Sequence, residues 1–464
     1  VIQKDHSIFQ SYQRLFYSWL VGLFFVGGVT AQEIQLAPKV DVQATVADAI
    51  AMRMSVRQFS KQPIEDEKMS WLLQFLSTND AIGFDDQVIV QLYDKLFDYH
   101  PEMKILKYID VPIPQLRMYP APVNLYLMPS EGTEPESESL WIWRGFAGQR
   151  IYLGASALGL GTVTIRGIGF PVGYPSETMK WYQIENFQMD LLNPLHKPIE
   201  EMLLAPQNES LLPVTKESLN TLLWSAYGFS NFQDSYNKIH RTVPSARGKY
   251  PMRMMLASSE GVYDYMPDSS FCQLVQSEDW VPQIQEFLNQ ETLKMATHFL
   301  FIIWNRTVQG SKEFALYEAG ASLANLQLAA NALNHKVCWA KVDSSNVLSS
   351  LLKTNKDVED VVMVVGIQGQ PLKKSKSKWK DGTYVGASTG WPSMEVEVTV
   401  EGGHIQEIQV LEDNSTPEFA AMVKPALKNS IIQSGSIEVD GISGATLSSN
   451  SLKKAIQNAL EKAK

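Results

Sequence analysis

The chain has 464 residues, 45% hydrophobic and 19% charged, which is the balance of a globular protein long enough for two to three domains. A formal net charge of −10 argues against nucleic acid or an anionic membrane surface as the main partner. Its two cysteines, Cys272 and Cys338, form no CxxC pair. Neither an iron–sulfur centre nor a cysteine metal site is therefore indicated, and whether the two pair is left open.

At the start, Lys4 and Arg14 precede an apolar run over residues 16–29, ending Val29-Thr30-Ala31 before Gln32. Small residues at Ala31 and two before it suit a signal peptidase, so residues 1–31 read as a secretory signal and the expected location is periplasmic or otherwise extracytoplasmic. The run is shorter than the ~20 residues a spanning helix needs. Left uncleaved, it would instead hold the protein at a membrane. No cysteine stands near the cleavage position, which argues against a lipoprotein.

Residues 45–190 and 200–370 carry one unit twice. Three gapless matches recur in the same order: 63–73 with 213–223, 117–120 with 241–244, and 145–158 with 320–333. The second match leads in each unit to a strand ending Ser-Glu-Gly, at 130–132 and 259–261. In the third, glycine and alanine recur where a helix must pack closely, and Leu153 and Leu158 correspond to Leu328 and Leu333. The first unit has only a short acidic link, 133–139, in place of a helix and strand expected near 279–304, and it gains an unmatched stretch near 81–115.

Each unit resembles the nitroreductase family, FMN enzymes built as an α/β sheet with the flavin at a two-fold interface. Residues 222–230, 241–246 and 261–265 liken the second unit to the branch that includes azoline dehydrogenases. The family's phosphate signature, Arg-x-Ser-x-Arg, stands here as Arg53, Ser55 and Arg57. Two guanidiniums and a hydroxyl suit a phosphate dianion, because arginine offers bidentate, charge-assisted hydrogen bonds. The opening match carried backwards puts Leu203, Ala205 and Gln207 at these positions, so the second unit lacks the clamp. Conversely, residues 244–252, beginning Pro244, Ser245 and Ala246, resemble the family loop that reaches the flavin from the partner subunit. In the first unit that loop is cut to 120–122. The resemblance implies a fused pair with one composite site for a non-covalent FMN, or else a pair kept as a docking scaffold.

Other features carry less. Gly159, Gly161, Gly167 and Gly169 complete no dinucleotide fingerprint and read as turns after a helix. The seven histidines have no metal-ligand spacing. Trp141, Trp143 and Trp224 are candidates to stack on a flavin or to fill the core.

Lys373, Lys374, Lys376, Lys378 and Lys380, with serines between, read as a solvated linker over 371–380. Beyond it, Met394, Val396, Val398 and Val400 alternate with polar residues, as in a half-buried strand. Gly402-Gly403 signals a hairpin, 404–410 its return strand, 416–427 a helix, and 452–462 a closing helix. Before that last helix stands Asp440-Gly-Ile-Ser-Gly-Ala-Thr-Leu-Ser-Ser-Asn450.

That motif, and the order and length of 379–464, resemble the FMN-binding domain of subunits of the sodium-pumping NADH:quinone oxidoreductase and the Rnf complex. In that family the threonine of Ser/Thr-Gly-Ala-Thr carries FMN through a phosphoester made by a dedicated flavin transferase. The resemblance implies covalent FMN on Thr446, within a motif that includes Asp440, Ser443, Gly444, Ala445 and Ser448. Gly444 and Ala445 leave the acceptor hydroxyl unshielded, and free N–H groups at a helix start favour the phosphate. The expected fold class is α+β: tandem nitroreductase-like α/β units forming a pseudo-dimer, then a small α+β FMN-binding domain. The expected function is that of an exported flavoprotein oxidoreductase. It would need the flavin transferase for maturation and a redox partner protein or small-molecule electron acceptor. The alternatives are an electron carrier whose front region only docks partners, and an oxidoreductase like the azoline dehydrogenases.

Overall fold

The computed structural model describes residues 33–38, 40–77, 87–129, 137–176, 182–183, 193–203, 211–233, 238–267, 271–308, 311–342, 346–370, 379–389, 392–401, 403–414, 427–428, 431–432, 437 and 446–464. The expected signal segment, most of the linker, positions 205 and 207, and the motif residues Asp440, Ser443, Gly444 and Ala445 lie outside the described residues. The chain divides into two units, Val1–Pro371 and Leu372–Lys464.

The larger unit begins with β1 (Glu33–Gln35) and α1 (Val46–Ala51), which opens on a capping box between Thr45 and Asp48. Helix α2 (Asp66–Ser77) buries Trp71, Leu72, Leu73 and Phe75. Strands β2 (Gln87–Leu92), β3 (Lys95–His100), β4 (Ile105–Ile109) and β5 (Val123–Met128) precede α3 (Glu138–Ala157), β6 (Gly161–Thr162) and β7 (Gly169–Gly173). The sheet runs β1-β4-β3-β2-β5-β7-β6, antiparallel throughout. A short β8 (Tyr182–Gln183) pairs with β9 (Phe229–Gln233), which pairs with β10 (Ile239–Arg241).

The second repeat opens on α4 (Lys216–Tyr227), capped by Thr215. It continues through β11 (Met252–Ser258), β12 (Gly261–Met266), β13 (Phe271–Gln276), α5 (Val281–Leu288), β14 (His298–Asn305), α6 (Lys312–Ala332), β15 (Lys336–Lys341), α7 (Asn346–Leu352) and β16 (Glu359–Gln368). Its sheet runs β13-β12-β11-β14-β16-β15. Strand β5 corresponds to β11, and β6 and β7 to β15 and β16. In the second repeat β14 stands between β11 and β16, whereas in the first β7 pairs directly with β5. The short acidic link accounts for the missing strand. The unmatched stretch near 81–115 supplies β2, β3 and β4, which extend the sheet on the other side of β5.

The two repeats meet where α3 crosses α6. A Cβ on Gly145 would lie 1.9 Å from the Tyr317 carbonyl oxygen, and one on Gly320 would lie 1.9 Å from that of Ile142. Tyr317 stands three residues before Gly320, and Ile142 three before Gly145. Each glycine therefore meets the other helix at the equivalent point, the reciprocity that a two-fold interface requires. Hydrogen bonds repeat the pattern: Arg150 donates to the Phe75 carbonyl at 3.1 Å, and its counterpart Asn325 to that of Ser225, the counterpart of Phe75, at 2.7 Å. Both helices are buried along most of their length, and one apolar core runs from Val42 to Ile367 across both repeats. The repeats are thus halves of one body.

The smaller unit is a three-stranded antiparallel sheet, β17 (Gly382–Ala387), β18 (Met394–Glu401) and β19 (His404–Asp413), with α8 (Thr446–Glu461). Strand β18 alternates as its sequence predicts: Met394, Val396, Val398 and Val400 are buried and pack with Leu452, Ile456 and Leu460 of α8. A Cβ on Gly386 would meet Ala455 and Ala459 backbone atoms at 2.3 Å, so glycine lets the helix lie close on β17. Helix α8 begins at Thr446, earlier than the expected start at Leu452. Serines and asparagine favour caps over helix interiors, but Ser448 and Ser449 are buried, and packing extends the helix through them. Among the described residues no helix is long and apolar enough to cross a membrane.

Candidate functional site

The two repeats enclose a cavity of about 240 Å³. Arg53, Ser55 and Arg57 line it from the first repeat, just after α1. Pro244 and Ser245, with Lys238, His240, Arg247, Gly248 and Tyr250, line it from the second. Clamp and loop, about 190 residues apart in the chain, are brought together. Ala246 belongs to the same loop but not to the wall.

Arg53 is almost completely buried, 1% exposed. Its Nη2 donates to the Arg241 carbonyl at 3.0 Å and its guanidinium lies over the Tyr152 ring at 5.2 Å. Its Nε and Nη1 have no hydrogen-bond partner. Burial lowers its pKa, opposed by Tyr250, Tyr152 and Tyr317 nearby. A buried guanidinium with two idle donors is unfavourable unless an anion meets it. Arg57 is exposed, with Nη1 3.4 Å from the Ser55 carbonyl oxygen. The Ser55 hydroxyl stands 3.2 Å from that of Tyr152, which accepts the Thr164 N–H at 2.9 Å. A bridge between Ser55 and Thr162 fixes the clamp against β6.

The loop opposite is tightly wound. Arg247, Gly248 and Tyr250 have φ of 57°, 60° and 52°, and such strain in residues other than glycine gathers at functional sites. Lys238 Nζ donates to the Gly248 carbonyl. Tyr250 hydroxyl accepts the Arg241 N–H at 3.2 Å and lies 2.9 Å from His240 Nδ1. Arg241 stacks over Tyr227 and Phe229 at 4.7 and 5.0 Å. Behind the wall, Glu318 on α6 is 1% exposed. It accepts hydrogen bonds from Ser245 Oγ and, at 3.0 Å, from the Tyr227 hydroxyl. Burial pushes its pKa up to about 8, against the lowering effect of Ser245, Tyr227 and Arg241.

The residues suit a phosphoryl group. Arg53, Arg57, Lys238 and Arg247 give the cavity a cationic wall, and Arg53 has two donors to spare. At about 240 Å³ it is a little below the usual size of cofactor pockets, so the fit is to the phosphate end of a ligand. The sequence pointed to Arg53, Ser55 and Arg57 and to the loop 244–252, which holds Arg247 and Tyr250 although only its first residues were singled out; Lys238, His240 and Glu318 were missed. The only signal for Lys238 and His240 was the basic run from 238 to 249. Trp141, Trp143 and Trp224 lie in the core and not in the wall. Gly159 and Gly167 have φ of 69° and 73°, in the turns after α3. Cys272 and Cys338 are free thiols, and no metal-binding cluster occurs among the described residues. In the smaller unit Thr446 is the first residue of α8 and Ser448 is buried on it.

Fold and site define a protein in two parts, a pseudo-dimer of repeats around a cationic cavity and a small α+β domain. Residues 212–369 match the nitroreductase family and residues 390–461 the FMN-binding domain. The chain thus carries a nitroreductase-family region followed by an FMN-binding domain. A protein of Anabaena variabilis described as a nitroreductase is 12% identical, with a TM-score of 0.50 over 72% of this chain and 94% of its own. That share of this chain exceeds residues 212–369, so the likeness in fold takes in the first repeat. A nitroreductase of Ralstonia eutropha is 17% identical, covering 42% of this chain and 92% of its own, with a TM-score of 0.31. One from Desulfovibrio desulfuricans, in complex with FMN, is 12% identical over 39% and 90%, with a TM-score of 0.27.

Proposed function

We propose that the protein is an exported flavoprotein oxidoreductase that passes electrons through FMN joined to Thr446, and that the cavity between the repeats holds a second FMN non-covalently. The observation that supports the second site most is Arg53. It carries two buried donors without a partner and lines a cavity whose wall needs both repeats. Arg53, Arg57 and the Ser55 hydroxyl would hold the phosphate, and Pro244 and Ser245 would close the site from the other side. FMN supplies the redox chemistry when bound; the chain supplies position and electrostatics. Support for the tethered flavin is the motif around Thr446 in a domain that matches the FMN-binding family. Support for export is the segment 1–31 and the extracytoplasmic action of flavin transferases of this kind. The transferase and a redox partner or small acceptor are the partners this reading requires.

The test uses protein made in cells that also export the transferase. After denaturing electrophoresis the wild type should fluoresce under ultraviolet light, Thr446→Ala should not, and Ser448→Ala should. A dark wild type overturns the covalent site. The Thr446→Ala protein, reconstituted with FMN, should release up to one flavin per chain on denaturation. If it releases none, the repeats are a docking scaffold and electron relay rests with the smaller unit.

A further inference from the structure

Glu318 is not among the residues that line the cavity, yet it is the acid buried behind Ser245, which does line it. It sits on the central helix α6 with one carboxylate oxygen on the Tyr227 hydroxyl and the other on Ser245 Oγ. Tyr227 is committed: its oxygen accepts the Met252 N–H at 3.1 Å and its proton goes to Glu318. Ser245 is not. Its oxygen accepts the Tyr250 N–H at 2.8 Å, and the direction of its own proton depends on Glu318. When Glu318 is ionised it can only accept, so the Ser245 hydroxyl must turn inward to it. When Glu318 is protonated, its O–H donates to Ser245 Oγ, and the serine proton is released toward the cavity that Ser245 lines.

We propose that Glu318 is a positioning residue that aims the Ser245 hydroxyl, so that the cavity takes up a phosphate dianion together with one proton. This rests on the reading of the cavity as a phosphate site. The proton stays on the Glu318 carboxyl, and no covalent bond to the ligand forms or breaks. Protonation both frees a donor for the ligand and removes a negative charge from behind Ser245, so the two effects have the same sign. The other titratable and charged groups facing Glu318 are Tyr227 at the end of α4, Arg241 on β10 and Tyr250 on the loop, with Arg53 across from Tyr250. Burial holds the pKa values of Tyr227 and Tyr250 above their ordinary value, so both stay neutral where Glu318 titrates. Glu318 itself changes charge near pH 8, where a phosphate monoester is already a dianion, its second pKa being about 6.

The experiment measures FMN binding to the full-length Thr446→Ala protein from about pH 7 to about pH 9, a range set by those two pKa values. The dissociation constant should rise about tenfold for each unit by which bound FMN raises the Glu318 pKa. Calorimetry in buffers of differing ionisation enthalpy should show proton uptake on binding. Glu318→Gln keeps a donor to Ser245 and an acceptor for Tyr227, so it should bind FMN as the parent does near pH 7, with a flat profile and no proton uptake. Ser245→Ala should bind more weakly and also be flat, which keeps the test decisive if Glu318→Gln fails to fold. A flat profile in the parent protein, or a Glu318→Gln profile as steep as the parent's, overturns the proposal and leaves the phosphate site standing. No FMN binding at any pH overturns both.

Discussion

Arg53→Met, in the Thr446→Ala protein so that only releasable flavin is read, should separate a ligand clamp from a structural strut. In the ligand-free protein the change removes two buried donors without partners, each unfavourable by about 1–3 kcal/mol. It also removes the hydrogen bond to the Arg241 carbonyl, about 1.5–3 kcal/mol, and the contact over Tyr152, about 0.5–2 kcal/mol. These terms offset, and methionine fills much of the same space, so ligand-free stability should change by no more than about 1 kcal/mol. Binding has no such offset. Losing even one charge-assisted bond to phosphate, about 1.5–3 kcal/mol, weakens FMN at least about tenfold. At about a hundred times the parent's dissociation constant, FMN should stabilise the parent by about 2.7 kcal/mol and the variant by about 1.4 kcal/mol. Chemical denaturation with and without FMN reads both quantities. A variant that loses several kcal/mol without ligand, while its FMN-induced gain stays intact, would refute the clamp.

Three further outcomes are expected. Gly145→Ala and Gly320→Ala should each destabilise by about 3 kcal/mol or more, measured by urea unfolding, because the new methyl meets backbone on the facing helix; equal tolerance of both would contradict the reciprocal crossing. The mature N-terminus should lie at or near Gln32 by mass spectrometry of the exported form, and an intact N-terminus in the membrane fraction would mean an anchor instead. Folding raises the Glu318 pKa from its ordinary 4.5 to about 8, so its contribution to stability is full below the ordinary value and is lost as pH rises through the folded one. Ligand-free stability should therefore carry a slope of about −1.4 kcal/mol per pH unit between those values, and Glu318→Gln should remove it.

What the sequence made legible were features with local spacing. The duplication showed because close helix packing needs glycine at one point on each helix, Gly145 and Gly320, and the flanking residues kept register around them. The first repeat's share of the cavity wall showed because Arg53, Ser55 and Arg57 alternate within five positions. The rest of the cavity wall did not. Arg247, Gly248 and Tyr250 line the cavity from a loop wound through left-handed backbone, and Lys238 and His240 line it from the start of β10, a conjunction that residue order does not announce. Glu318 reads as an ordinary polar position on an alanine-rich helix; its role comes from being sealed under Ser245 and Tyr227. The early start of α8 depends on burial of Ser448 and Ser449, a tertiary effect that overrides their local preference.

The glycine crossing of α3 and α6 has a consequence for how the protein behaves on dilution. In a homodimer the flavin pocket exists only while two chains stay associated, so its occupancy falls as the subunits are spread thin. Here both faces belong to one polypeptide, and joining them is a unimolecular event with an effective concentration set by the tether. The cavity should remain intact at any protein concentration. It is also free to be lopsided: a substitution alters one half alone, so one half can keep the arginines while the other keeps the loop.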